Sequence, residues 1–150
     1  MTLDQVKALP VANIAAEDCA LLLWVTDPML SLGIEVMAAW GFTYKTVAFT
    51  WVKCRKDGTG FPIGCGYWTR ANPEMCLLGT RGAPKRDSKD VRQLIIEPRR
   101  EHSRKPARVR TDIERLLGDD IERIELFARE QATGWDAWGT AVNKVKPSKR

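Results

Sequence analysis

Cys19–Val25 reads CALLLWV, and Thr26-Asp27-Pro28 follows at once. Seven apolar residues in a row are too few for a typical buried helix and lack the alternate polar positions of a half-exposed strand. The run therefore predicts a strand covered on both faces, the kind found in α/β folds. Just downstream, Asp27 is predicted as an N-cap with Pro28 at the first helical position. Met29, Gly33, Val36, Met37 and Trp40 fall on one stripe before Gly41 ends that helix. Thr43–Val52 then alternates, with Lys45, Val47, Phe49 and Trp51 on one side and Tyr44, Thr46, Ala48 and Thr50 on the other, which predicts a second strand.

The pattern extends in both directions. Upstream, Thr2 can cap a short helix through Ala8, with Leu3, Val6 and Leu9 on one side and Pro10 as its stop. Downstream, Lys56–Gly66 holds four glycines and a proline and must be a loop. Glu74–Thr80 (EMCLLGT) resumes an apolar strand, Arg81–Arg92 is a polar crossing, and Leu94–Ile96 is a short strand leading into EPRREHSRKP. Pro106 opens a helix that buries Val109, Ile113, Leu116 and Leu117 and is closed by Gly118. Ile121–Ala128 then places Ile124, Leu126 and Ala128 on one strand face. Strands alternating with amphipathic helices predict a largely parallel sheet with helices on its faces. Ligands collect at the carboxyl ends of such strands, so functional residues are expected just after Val25, Thr80, Ile96 and Ala128.

The 150 residues, 44% of them hydrophobic, suit one domain, assigned to 1–143 with a basic tail at 144–150. With 29% charged residues and no apolar run longer than Cys19–Val25, neither a membrane span nor a secretory signal is expected. The four cysteines form no CxxC pair and His102 is the only histidine, so no usual zinc pattern can be assembled and no metal is expected; reduced thiols fit a cytoplasmic protein. A net charge of +5 and a pI of 9.2 favour a polyanionic partner. Glu97, Arg99, Arg100, His102, Ser103, Arg104 and Lys105 precede a helix whose free amides also attract anions, so the stretch reads as a phosphate site or as a solvated basic loop. Tyr67 and Trp68 stand beside Arg70 in the Gly-rich region, a mixture suited to stacking a base while holding its phosphate, or to simple packing.

Four segments in this order resemble the MT-A70 family of adenine-N6 methyltransferases, especially its short bacterial and phage members. They are LLLWVTDPML at Leu21–Leu30, AWGFTYKTVAFTWVK at Ala39–Lys53, GYWTRANPEMCLLGTRG at Gly66–Gly82, and EHSRKPARVRTDIERL followed by IERIELFAR and GWDAWG. The resemblance implies a Rossmann-like methyltransferase sheet with flanking helices, S-adenosylmethionine as cofactor, and DNA as partner in preference to RNA. A homo- or heterodimer is compatible with it. By the same resemblance, Glu74 together with Ser103 and Lys105 of the S-x-K-P element would face the acceptor adenine. Arg129 would contact the cofactor, as would Thr140, which stands where the family usually has asparagine. Arg55, Tyr67, Trp68 and Arg70 would meet the nucleic acid.

The family also carries an Asp-Pro-Pro-Trp segment on a central strand, and nothing in these residues supplies it. Asp27-Pro28 is the only Asp-Pro pair. In this fold that strand lies between the ones at Cys19–Val25 and Ile121–Ala128, so the sheet is expected to lack a central strand. Three readings follow. One is a methyltransferase whose catalytic segment lies upstream of Met1; another is a catalytically inactive nucleic-acid-binding or partner subunit of the same fold; the third is an incomplete fragment with no independent function.

Overall fold

The computed structural model describes residues 1–101 and 104–142. Its first element, α1 (Leu3–Lys7), begins as the sequence predicts: Thr2 Oγ1 accepts from the Gln5 amide while the Gln5 side chain accepts from the Thr2 amide, a reciprocal capping box. A turn of helix not foreseen from the sequence, α2 (Val11–Ile14), follows Pro10 and buries Val11. β1 (Cys19–Val25) has the predicted bounds. Its alternate residues enter two separate cores, with Leu21, Leu23 and Val25 on one face and Leu22 and Trp24 on the other. That division is why the run is apolar throughout.

Asp27 does not act as an N-cap. Asp27–Met29 forms a 3₁₀ turn with no side-chain cap bond, and α3 starts only at Leu30, running to Ala39. Leu30 and Ile34 consequently pack on the core, while Met29, expected on the buried stripe, is 44% exposed. The helix ends as predicted. Gly41 adopts φ +84°, its amide reaches Ala38 O and the Phe42 amide reaches Met37 O, both bonds of a Schellman motif. Along α3, Gly33 crosses β1 so closely that a Cβ would lie 2.5 Å from Val25 Cγ1. Gly33→Ala is expected to destabilise the fold by about 1–3 kcal/mol despite alanine's better helix propensity, because the valine branch cannot withdraw. A denaturant midpoint equal to wild type would refute this.

β2 (Thr43–Cys54) and β3 (Glu74–Arg81) pair antiparallel, β3 also pairs antiparallel with β1, and β4 (Leu94–Pro98) joins β2 in parallel, giving the order β1-β3-β2-β4. The sheet is thus mixed rather than largely parallel. The helical crossover keeps β1 and β2 in one direction, but β3 returns between them. Irregularities between Tyr44 and Thr46 and between Val47 and Phe49 alter the expected single stripe of β2. Val47 packs with Leu77 on the α3 side, whereas Phe49 and Trp51 join Cys76 and Ile95 on the other.

On that second face lies α4 (Arg108–Leu117), closed by Gly118 and burying Val109 and Ile113 as predicted, with Leu116 and Leu117 only half-buried. The strand expected over Ile121–Ala128 is confined to β5 (Ile124–Leu126), because Phe127 turns to φ +58°. Ile124 faces out while Ala128 is buried. β5 pairs in parallel with β6 (Asp136–Trp138), a strand not predicted. Helices therefore flank a sheet in two pieces, a Rossmann-like arrangement. Among the described residues β1 ends the larger piece, with β3 as its one partner, and β5 pairs with β6 alone. No described helix is long and apolar enough to cross a membrane.

Candidate functional site

Because β3 is antiparallel to its neighbours, the residue it brings to the carboxyl edge of β1, β2 and β4 is its first, Glu74, and not the one after Thr80. Sequence alternation does the rest. Trp51 and Lys53 are two apart on β2, Trp51 lies opposite Glu74 in the ladder, and Trp24 sits near the end of β1 on the same face. The Trp24 and Trp51 rings meet edge to face with centroids 6.4 Å apart, and Trp51 Nε1 donates to Glu97 O at 2.8 Å. Lys105 reaches in from the segment before α4. Its Nζ donates to Glu74 Oε2 and stands 5.2 Å from the Trp24 ring centroid and 5.9 Å from that of Trp51. Lys53 Nζ approaches Glu74 Oε1 at 2.8 Å.

Glu74 is half-buried and held by two ammonium groups. Burial alone would push its carboxyl up, but the hydrogen bonds and charges of Lys105 and Lys53 outweigh that and hold it below the usual carboxylate range. The Glu74 side chain is thus a charged acceptor at neutral pH, with lysine donors beside it and tryptophan rings beneath. Such a group can read the donor and acceptor edge of a heterocyclic base. Directly below, burial pushes the Cys76 thiol up to about 12, so Cys76 is packing and not a nucleophile.

The structure brings Glu74 and Lys105 into contact; Ser103, and with it His102, lies outside the described residues, as does the basic tail at 144–150. Trp24, Trp51 and Lys53 were not singled out from the sequence. The signal was present for Lys53, which continues the Trp51 side of β2 by one more step. Asn72 was missed as well. Its Oδ1 accepts from the Lys53 amide at 2.9 Å, and its Nδ2 donates to Lys53 O at 2.9 Å and to Pro62 O at 2.7 Å. One side chain thereby fastens the 55–73 loop to the strand that carries Lys53.

That loop leaves Lys53 and returns at Glu74, so whatever reaches the carboxylate passes beside it. Arg55 and Arg70 are exposed, and Tyr67 and Trp68 are 97% and 93% exposed, their rings in contact edge to face at 5.9 Å. Among the described residues they are the most exposed aromatics.

Arg129 and Thr140 lie at the carboxyl ends of the parallel pair β5 and β6 and are both exposed. The two ends are in intimate contact. The Ala128 amide donates to Trp138 O at 2.9 Å, and a Cβ on Gly139 would fall 2.5 Å from Ala128 O. A guanidinium and a hydroxyl exposed at this edge can donate hydrogen bonds to an anionic or hydroxyl-bearing ligand.

The MT-A70 family model matches residues 1–141. The chain is 35% identical, over 97% of its length, to the Type II methyltransferase M.MunI of a Mycoplasma species, and covers 61% of that protein. It is 32% identical over 95% of its length to the N(6)-adenosine-methyltransferase MT-A70-like of Arabidopsis thaliana, covering 21% of it. With the N(6)-adenosine-methyltransferase catalytic subunit METTL3 of Homo sapiens the identity is 30% over 86% of the chain and 22% of that subunit. The chain thus spans about three fifths of the bacterial relative and about a fifth of the others.

Proposed function

The chain belongs to the MT-A70 family, and we propose that it serves S-adenosylmethionine-dependent methylation of the exocyclic N6 amine of adenine, in DNA in preference to RNA. The observation that carries this reading is the Glu74 carboxylate set between Lys53 and Lys105 over Trp24 and Trp51 at the carboxyl edge of the sheet. An adenine turned out of its stack offers N–H groups to an acceptor and ring nitrogens to donors, and this cluster presents both. Ser103, two residues before Lys105 in the sequence, is assigned to the same proposed adenine site by the S-x-K-P element. Arg129 and Thr140 would hold the cofactor, which supplies the methyl group. The task of this chain is then to position the amine, a weak nucleophile whose lone pair is delocalised into the ring.

DNA is favoured by the higher identity to the Type II methyltransferase than to the adenosine methyltransferases. Arg55, Tyr67, Trp68 and Arg70 would form the nucleic-acid contact, the arginines on phosphate and the aromatics on base faces. The deciding experiment measures methyl transfer from labelled S-adenosylmethionine to an adenine-containing DNA duplex and to its RNA counterpart, together with binding of each. Transfer to DNA is the expected result. Binding of DNA without transfer would assign the chain as a nucleic-acid-binding or partner subunit, and neither would overturn the reading. Separately, the pair Arg55→Glu and Arg70→Glu is expected to weaken DNA binding and to flatten the dependence of log K on log salt by about 2, near one per phosphate contact. An unchanged slope would remove the loop from the interface.

A further inference from the structure

Helix α4 carries two working faces. Val109 and Ile113 are buried against the main sheet, while Arg110, Glu114 and the backbone of Gly118 recur four residues apart along an adjoining face. Each of these three meets the C-terminal strand pair. Arg110 Nε donates to Glu125 Oε2 at 2.9 Å and Arg110 Nη1 to Glu130 Oε1 at 3.0 Å. Trp135 Nε1 donates to Glu114 Oε1 at 2.7 Å, and Arg123 Nη2 donates to Gly118 O at 2.7 Å. β5 and β6 are three residues each and, among the described residues, pair only with one another. Together with the packing of Leu126 and Trp135, this polar seam ties them to the rest of the molecule.

Arg110 occupies the end of the seam that matters for the site. Glu130 adjoins Arg129, and it is also met by Arg104 at 3.4 Å. Phe127, three residues before Glu130, holds φ +58°, a backbone state that a bulky side chain keeps only when its surroundings impose it. Two carboxylates on one guanidinium, with Gly139 packed on Ala128, supply that imposition. Helix α4 also begins three residues after Lys105, the donor on Glu74.

We propose that Arg110 is a positioning residue: by bridging Glu125 and Glu130 it fixes the 127–130 segment to α4, and so sets where Arg129 stands relative to the Glu74–Lys105 pair. The consequence for ligand binding rests on the proposed cofactor role of Arg129; the holding of the segment does not. Lysine keeps the charge but, as a point donor, cannot span both carboxylates as a planar guanidinium does.

The test compares wild type with R110A, R110K and, as a control on the same helix, R115A. Amide hydrogen exchange is followed along the chain without ligand, and S-adenosylhomocysteine is titrated by calorimetry. R110A is expected to raise exchange at 127–131 by about tenfold or more while amides of 109–113 stay protected, with R110K between and R115A at wild type. Affinity for S-adenosylhomocysteine is expected to fall about tenfold in R110A and less in R110K. Unchanged exchange at 127–131 in R110A overturns the proposal. Should R110A lose protection everywhere, R110K decides: a rise confined to 127–131 supports the role, and a uniform rise or none refutes it. If wild type itself fails to bind S-adenosylhomocysteine, the cofactor reading falls, and the exchange pattern alone judges Arg110.

Discussion

Glu74→Gln is expected to lower methyl transfer to adenine by about 10²-fold or more, with most of the loss in binding of the acceptor base. The carboxamide is nearly isosteric, so shape is kept and only charge is removed. What remains is two ammonium groups facing each other across a neutral side chain at a half-buried position. Charge-assisted hydrogen bonds contribute roughly 1.5–3 kcal/mol each, and unpaired partners add to the cost. The pH dependence has a definite sign. Lys105 and Lys53 hold the Glu74 carboxyl below its usual range in the folded protein. The ion pairs are therefore fully formed above the unfolded value and are lost as pH falls through the lower folded one. Base binding and thermal stability are expected to decline together in that acid window, and Glu74→Gln should remove this part of the profile. A wild-type acid limb that Glu74→Gln leaves in place, or a Glu74→Gln variant that transfers methyl groups as wild type does, would discard the site.

The first four strands were readable from sequence because each depends on local pattern, although β2 changes its buried face between Val47 and Phe49. CALLLWV could only be a strand with two covers, and the Gly41 and Gly118 stops follow from backbone chemistry. Direction was not readable. Whether Glu74–Arg81 runs with or against its neighbours is decided by where a 19-residue loop returns, at 55–73, and no local signal encodes it. That one unknown moved the predicted edge from the residues after Thr80 to Glu74 itself. It also explains why Lys53 and the two tryptophans were overlooked: each is ordinary on its own strand, and only the antiparallel return of β3 makes them neighbours. The short β5 and β6 escaped for a related reason, since a three-residue strand beside a left-handed Phe127 has no period to detect.

Asn72→Ala is expected to cost about 1–3 kcal/mol of stability, seen as a melting temperature lower by roughly 3–10 °C, and to weaken nucleic-acid binding by about tenfold. The amide side chain makes three hydrogen bonds, all to backbone, and alanine leaves the Lys53 amide and two carbonyls without those partners. Two consequences separate in space. Through Lys53 the change loosens one of the cations on Glu74. Through Pro62 it frees the middle of the loop that displays Tyr67 and Trp68, so the aromatics lose a fixed direction and must be ordered again when a partner binds. Asn72→Asp sharpens the test, because a carboxylate still accepts from the Lys53 amide but cannot donate to either carbonyl. It should resemble alanine at the loop while keeping more of the Lys53 contact. Time-resolved anisotropy of Trp68, in a background where the other tryptophans are accounted for by a Trp68→Phe difference, reports the loop directly. Faster local motion in both Asn72 variants is expected, with the Glu74-dependent acid limb shifted more in alanine than in aspartate. Equal Trp68 motion in wild type and both variants would show that the loop is held by other contacts, and that its aromatics are directed independently of the Glu74 pocket.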